Sequence, residues 1–314
     1  MTQFSYNEIQ KALNSIAQMH LSDDNFVSTE FTDKEEFIVS YLNISRKNQL
    51  LPAEISILNE NRIEKVIRIN SVEGPKIVPL IGDVEKDLPF IKEAPLAGEM
   101  GGDQCRNAND MGHYGTISFY AGGLQIDVSG RICNYHCGSN SVLVSNNHVI
   151  ARSDSGGIGE VIWTPFRANV AQLACVLPLR CEADLAIARF SDPSGIQLWT
   201  IRTIGRLNNV RNPTIGEGIK KHGARTGYTT GTIISQAVVN TGSHVYHNAF
   251  KTSGGFSCPG DSGSSIVANN NDLLGILSWG DNIPCEQNPA GYFWIFDFQG
   301  LTEHECSFKL STSK

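Results

Sequence analysis

The chain has 314 residues, 40% hydrophobic and 18% charged, a size and composition that support two domains and a sizeable core. Its formal net charge of −7 excludes nucleic acid or an anionic bilayer as the expected main partner, because either would need a basic footprint. No apolar run reaches the length of a membrane-spanning helix, so no membrane segment is expected.

Residues 5–19 are predicted to form a helix. Ser5 and Glu8 have capping-box spacing, and Ile9, Leu13, Ile16 and Met19 fall on one face. Three predicted strands follow, Phe26 to Phe31, Phe37 to Ile44 and Val66 to Val72, with Leu50-Leu51-Pro52 interrupting the second and third. Residues 1–75 therefore read as a small α+β module without a chemical motif. From Gly74 to Gly102, prolines and glycines recur without period, and residues 76–104 are expected to be a linker or wrapping segment.

Beyond that point, residues 105–314 change to short strands punctuated by Gly, Asn and Pro. The predicted strands are 116–120, 124–128, 142–145, 161–163, 185–190, 231–239, 266–267, 273–279 and 292–298. Almost no helical period remains, which points to an all-β fold, and about 200 residues suit two barrels better than one. The first residues, Met1 to Glu8, lack the basic and apolar regions of a signal peptide, so a cytoplasmic location is the default. Eight cysteines favour the alternative of secretion by another route.

The chemistry concentrates in Ser257-Cys258-Pro259-Gly260-Asp261-Ser262-Gly263-Ser264. Flanking glycines permit positive φ and let backbone N–H groups converge on an oxyanion beside a serine nucleophile. A serine needs a base, and of eight histidines only His148 directly follows an alternating apolar strand, Ser141 to Ser145. Asp184 heads the apolar stretch Leu185-Ala186-Ile187-Ala188, where a buried carboxylate needs a partner such as a histidine N–H. His222, His244 and His247 read as surface residues.

The order His148, Asp184, Ser262, within "SNNHVIA", "ADLAIA" and "GDSGSSIV", resembles the chymotrypsin-like serine peptidases. An α/β-hydrolase has a different triad order and needs glycine where Ser264 stands, and a subtilisin places its acid first. The resemblance implies a mainly β fold of two six-stranded antiparallel barrels, preceded here by the small α+β domain. It implies acyl transfer, with Ser262 as nucleophile, His148 as base, Asp184 orienting the imidazole, and Gly260 and Ser262 N–H groups as the oxyanion hole. The stretch "GILSWG" looks like the substrate-binding edge strand: Ser278 would hydrogen-bond the triad acid, Trp279 would line the cleft, and Gly280 would pair with substrate. Phe256 and Ser257 would lie at the primary pocket. Phe256 stands where trypsin-type pockets are acidic, which favours an apolar or small residue on the acyl side, with Asp281 and Glu286 near enough in sequence to alter the pocket.

Animal members balance the acid before the nucleophile with a new N-terminal ammonium, and no such start occurs here. By analogy with bacterial members, Lys221 is expected to pair with Asp261, with Arg225 as the alternative. The resemblance also implies a Cys258–Cys285 bridge beside the pocket. Cys137 resembles one half of a bridge near the histidine, with Cys133 or no partner to complete it. Cys175 with Cys181 would close a short loop, leaving Cys105 and Cys306, although sequence alone leaves the pairing open. Cys133, His136 and Cys137 with Cys175 or Cys181 form an alternative zinc set, but no metal and no cofactor are expected. The partners implied are a protein or peptide substrate and one dedicated protein whose cleavage is regulated by the N-terminal module and linker occluding the cleft. A silent peptidase-fold scaffold is the alternative to an active endopeptidase.

Overall fold

The computed structural model describes residues 6–20, 26–32, 34, 36–41, 54–58, 64–73, 75–83, 98–122, 124–129, 134–139, 141–164, 171–190, 192, 194–295, 297–298 and 307–311. Among them no helix is long and apolar enough to cross a membrane.

Helix Tyr6–Gln18 buries Ile9, Leu13, Ile16 and Ala17 against Phe31, Phe37, Val39 and Tyr41. Met19, expected on this face, lies past the last turn and is 47% exposed. Ser5 of the expected capping box lies outside the described residues. Phe26–Thr32 pairs antiparallel with Phe37–Tyr41, which runs parallel to Glu64–Glu73. Glu54–Leu58 completes this set and was not anticipated. Pro52 had marked the region as broken, yet a proline just ahead of a strand removes no ladder bond.

The second barrel is a closed antiparallel ring of six strands. In order these are Gly218–Gly223, Ser265–Ala268, Leu273–Asp281, Gly291–Ile295, Val245–Thr252 and Gly227–Asn240, and the last pairs back onto the first. Large apolar residues fill it, among them Trp279, Phe250, Phe256, Tyr292 and Trp294. The N-terminal strands continue the same sheet, because Phe26–Thr32 runs antiparallel to residues 235–239 of the long strand. The first barrel is built from an eight-stranded sheet in the order Phe119–Ala121, Val142–Ser145, Ala186–Phe190, Ala171–Val176, Val161–Trp163, Gln104–Asn107, His113–Thr116 and Gly82–Asp83.

The proline- and glycine-rich segment between module and barrels is not only a connection. Ile77–Pro79 pairs with Leu273–Asp281 in the second barrel, Gly82–Asp83 with His113–Thr116 in the first, and Glu99–Gly101 runs parallel to Ile196–Ile201. Such a composition suppresses helix and long strands, but a two- or three-residue edge strand escapes the rule. Ile77–Pro79 and Gly82–Asp83 thus take the chain from the second barrel to the first.

Candidate active site

His148 sits in the helical turn Asn147–Ile150, immediately after Val142–Ser145. That strand pairs antiparallel with Ala186–Phe190, and the register sets Ser145 opposite Ala186. The end of one strand therefore meets the head of the other, and His148 reaches Asp184. His148 Nδ1 lies 2.5 Å from Asp184 Oδ2, and the His148 backbone N–H donates to Oδ1 at 3.1 Å. Asp184 is fully buried, so the two donors replace the water it has lost. With Nδ1–H turned to the carboxylate, Nε2 is left as the basic nitrogen. Nε2 is buried and makes no hydrogen bond among the described residues.

Asn146, which the sequence reading passed over, ties this pair to the other barrel. Its Nδ2 donates to Asp184 O at 2.7 Å and to Ser278 Oγ at 2.8 Å. The resemblance implies a Ser278 hydrogen bond to the Asp184 carboxylate; the Ser278 hydroxyl oxygen accepts from Asn146, which in turn holds the Asp184 backbone. The signal was present in "SNNH", where a polar pair ends an apolar strand, but its partners are far away in sequence.

The turn carrying Ser262 requires its glycines. Gly260 has φ +100° and Gly263 φ +96°, both in the left-handed region. A Cβ on Gly263 would lie 2.0 Å from Thr116 O. Thr116 anchors the turn from the first barrel: its N–H donates to Ser262 O at 2.7 Å and its Oγ1 to Gly260 O at 2.9 Å. Ser262 Oγ donates to Ser278 O at 2.9 Å.

Asp261, also fully buried, faces Lys221 with Nζ 3.0 Å from Oδ2. Thr226 Oγ1 and the Cys258 N–H also donate to Oδ2, and the Arg225 and Thr226 N–H groups to Oδ1. Arg225, the alternative cation, thus contributes a backbone donor. Burial pushes the Lys221 ammonium below the ordinary lysine range, while the Asp261 charge opposes that shift.

Phe256 and Ser257 are buried below the turn, and the Ser257 hydroxyl has no hydrogen-bond partner among the described residues. A Cβ on Gly291 would strike Ser257 Oγ at 2.6 Å, so only glycine lets this wall pack so closely against Ser257. Trp279 packs against Tyr246 with ring centroids 4.1 Å apart. Cys258 and Cys285 are bridged next to this wall. Glu286 is exposed, whereas Asp281 is drawn into the ladder, its Oδ2 accepting from Ala290 N–H at 3.1 Å. Burial raises the Asp281 carboxyl above the usual range.

Other expectations need correction. His247 is not a surface residue: it is 1% exposed, and its Nδ1 lies 2.6 Å from Glu182 Oε2. Its neighbours in sequence are polar, and only the fold shows that this strand faces the Asp184 loop. Cys105, whose pairing the sequence leaves open, is a free, buried thiol, and burial pushes it up to about 12. Cys175 and Cys181 are disulfide-bonded and cannot serve as zinc thiolates. The side chains of Cys133, His136, Cys137 and Cys306 lie outside the described residues.

The chain's own segment 77–80 lies in the groove. It runs antiparallel to the edge strand, with Val78 opposite Gly280 and Pro79 opposite Trp279. The Leu80 N–H donates to Ser278 O at 3.1 Å, and Leu80 O accepts from Gly260 N–H at 2.6 Å and Ser262 N–H at 3.3 Å. The geometry thus presents a peptide carbonyl, two convergent amides and a serine hydroxyl at one turn, and Asn146 links the strand that carries Ser278 to the His148–Asp184 pair.

A family model described as Trypsin matches residues 100–300. No curated protein matches the chain. Among solved structures, Cellulomonas bogoriensis chymotrypsin is 20% identical with a TM-score of 0.42, covering 62% of this chain and 90% of its own. Nocardiopsis protease is 18% identical with a TM-score of 0.44, covering 67% and 98%. A glutamic-acid-specific serine protease, described as using a histidine triad in substrate binding, is 18% identical with a TM-score of 0.45, covering 63% and 93%.

Proposed function

Because the chain belongs to the trypsin family, we propose that it is a serine endopeptidase that opens peptide bonds through an acyl-enzyme. The observation that carries this reading is the pairing of the His148–Asp184 contact with a serine turn whose two amides hold a carbonyl oxygen. Ser262 Oγ turns from Ser278 O toward His148 Nε2, loses its proton there, and attacks the carbonyl carbon. The Gly260 and Ser262 N–H groups stabilise the oxyanion by about 3 kcal/mol per donor. His148 then protonates the leaving amine, Asp184 steadies the imidazolium, and water repeats the sequence on the ester. Lys221 holds Asp261, and with it the turn, in this arrangement. Phe256 and the apolar residues around it favour an apolar acyl-side residue.

A silent scaffold is the second reading, and one observation favours it: the Ser262 hydroxyl is bonded to Ser278 O and not to the imidazole. Fluorophosphonate labelling decides between them, on the intact chain and on Leu80→Gly, which truncates the side chain lying in the groove. The expected outcome is labelling at Ser262 that disappears in Ser262→Ala and His148→Ala. No labelling and no peptide hydrolysis in either serine-containing form would establish the scaffold.

A further inference from the structure

A segment of the chain itself fills the cleft. Its contacts are those a peptide makes when it is about to be cut. A ladder runs from Lys76 O, which accepts from Asn282 N–H at 2.8 Å, through the Val78 and Pro79 register pairs to Leu80. Pro79, opposite Trp279, is solvent-exposed, while Ile77 and Leu80 are fully buried. Leu80 rests against Gly280, where any Cβ would lie 2.5 Å from its Cδ2. It belongs to the same apolar cluster as Phe256, Trp279 and Tyr292.

On the other side of Leu80 the chain passes to the first barrel, where Gly82–Asp83 pairs with His113–Thr116. Gly82 is pressed against the Tyr114 ring, and a Cβ there would be 2.3 Å from Cε1. The Leu80–Ile81 bond is therefore held from both barrels, with its carbonyl oxygen on the two amides beside Ser262. Holding a reacting group in this way turns a bimolecular encounter into an intramolecular one.

We propose that the Leu80–Ile81 peptide bond is a self-processing site, and that leucine-like residues are what this cleft accepts on the acyl side; the proposal rests on the peptidase reading. Ser262 Oγ forms an ester bond to the Leu80 carbonyl carbon as its proton moves to His148 Nε2. The carbon–nitrogen bond to Ile81 breaks, and that proton leaves on the Ile81 amine. Solvent water then hydrolyses the ester, releasing a Leu80 carboxylate and restoring the Ser262 hydroxyl. The strand pairing of Phe26–Thr32 keeps the two pieces together after the cut. Regulation follows directly, since an external substrate gains the cleft only when residues 77–80 leave it.

The test follows intact mass with time under denaturing conditions for the full chain, Ser262→Ala, Leu80→Asp and Leu80→Gly, alongside hydrolysis of an Ile-Val-Pro-Leu anilide. The expected result is one cut between Leu80 and Ile81 whose rate does not change on dilution, absent in Ser262→Ala and slowed about tenfold or more in both Leu80 variants. The leucine anilide should be cleaved at least about tenfold faster than its lysine counterpart. A full chain that stays intact, while either Leu80 variant hydrolyses the anilide, overturns self-processing and leaves the peptidase standing. A cut elsewhere, or a rate that falls on dilution, also overturns it. If no variant hydrolyses the anilide or takes a fluorophosphonate, the peptidase reading itself has failed.

Discussion

The Asp261 carboxylate accepts hydrogen bonds from the Lys221 ammonium, the Thr226 hydroxyl and the Cys258, Arg225 and Thr226 N–H groups. Replacing Lys221 by Met would leave the Thr226 hydroxyl and the three N–H donors in place, whereas replacing Asp261 by Asn strands a buried ammonium. Asp261→Asn is therefore expected to cost about 3–5 kcal/mol in urea denaturation, more than Lys221→Met, and to reduce kcat through the turn that Asp261 holds. The pH dependence has a definite sign. Burial already lowers the Lys221 pKa below 10.5, and loss of Asp261 lowers it further. Between the folded and unfolded values the unfolded chain binds more protons, so Asp261→Asn should regain stability as pH rises toward 10.5. A flat profile there would show that Lys221 is not the residue left unbalanced.

At the scale of elements, the site depends on where strands end. Asn146 closes the strand Val142–Ser145 and joins the Asp184 backbone in one barrel to Ser278 in the other. Asn146→Ala leaves a buried carbonyl and a buried hydroxyl without that donor, at a cost of about 1–3 kcal/mol each. Its effect should fall on kcat more than on KM, because it frees the Asp184 backbone while leaving the Trp279–Gly280 edge intact. Steady-state kinetics on a leucine anilide check this, and a change confined to KM would place Asn146 in substrate binding instead. Much of this scale could be read in the sequence. The alternation of Ser141 to Ser145 and the apolar run after Asp184 gave both strands, but the short strands at residues 77–79, 82–83 and 99–101 carry no period long enough to detect.

At the scale of the whole molecule, the N-terminal strands extend the second barrel's sheet. Glu30, on the first of them, accepts Lys251 Nζ at 3.0 Å, and its carboxylate also takes the Ser28 and Ser235 hydroxyls. Lys251 is held charged by Glu30 despite its burial, with its pKa above the ordinary range. Glu30→Gln removes the charge that Lys251 needs and is expected to cost about 3 kcal/mol, read as a lower urea midpoint with a single transition. Two transitions would mean that the N-terminal strands fold apart from the barrel. One transition fits a chain in which the 26–32 strand covers an edge that would otherwise be open to other chains.

The sequence by itself determined the residue types and their order: a histidine after an alternating strand, an acid before an apolar one, a serine between glycines, and a lysine available for Asp261. These are local patterns, set by strand period and by the positive φ that only glycine adopts cheaply. The tertiary structure decided which distant groups meet. It made the Ser278 hydroxyl an acceptor for Asn146, buried His247 against Glu182, and left Cys105 a free thiol. It also laid Ile77–Pro79 on the edge strand, with the Leu80 carbonyl on the amides of Gly260 and Ser262. Those choices depend on strand register and on pairings such as Pro79 with Trp279, about 200 positions apart, where backbone hydrogen bonds carry the pairing and side-chain identity leaves no trace of it.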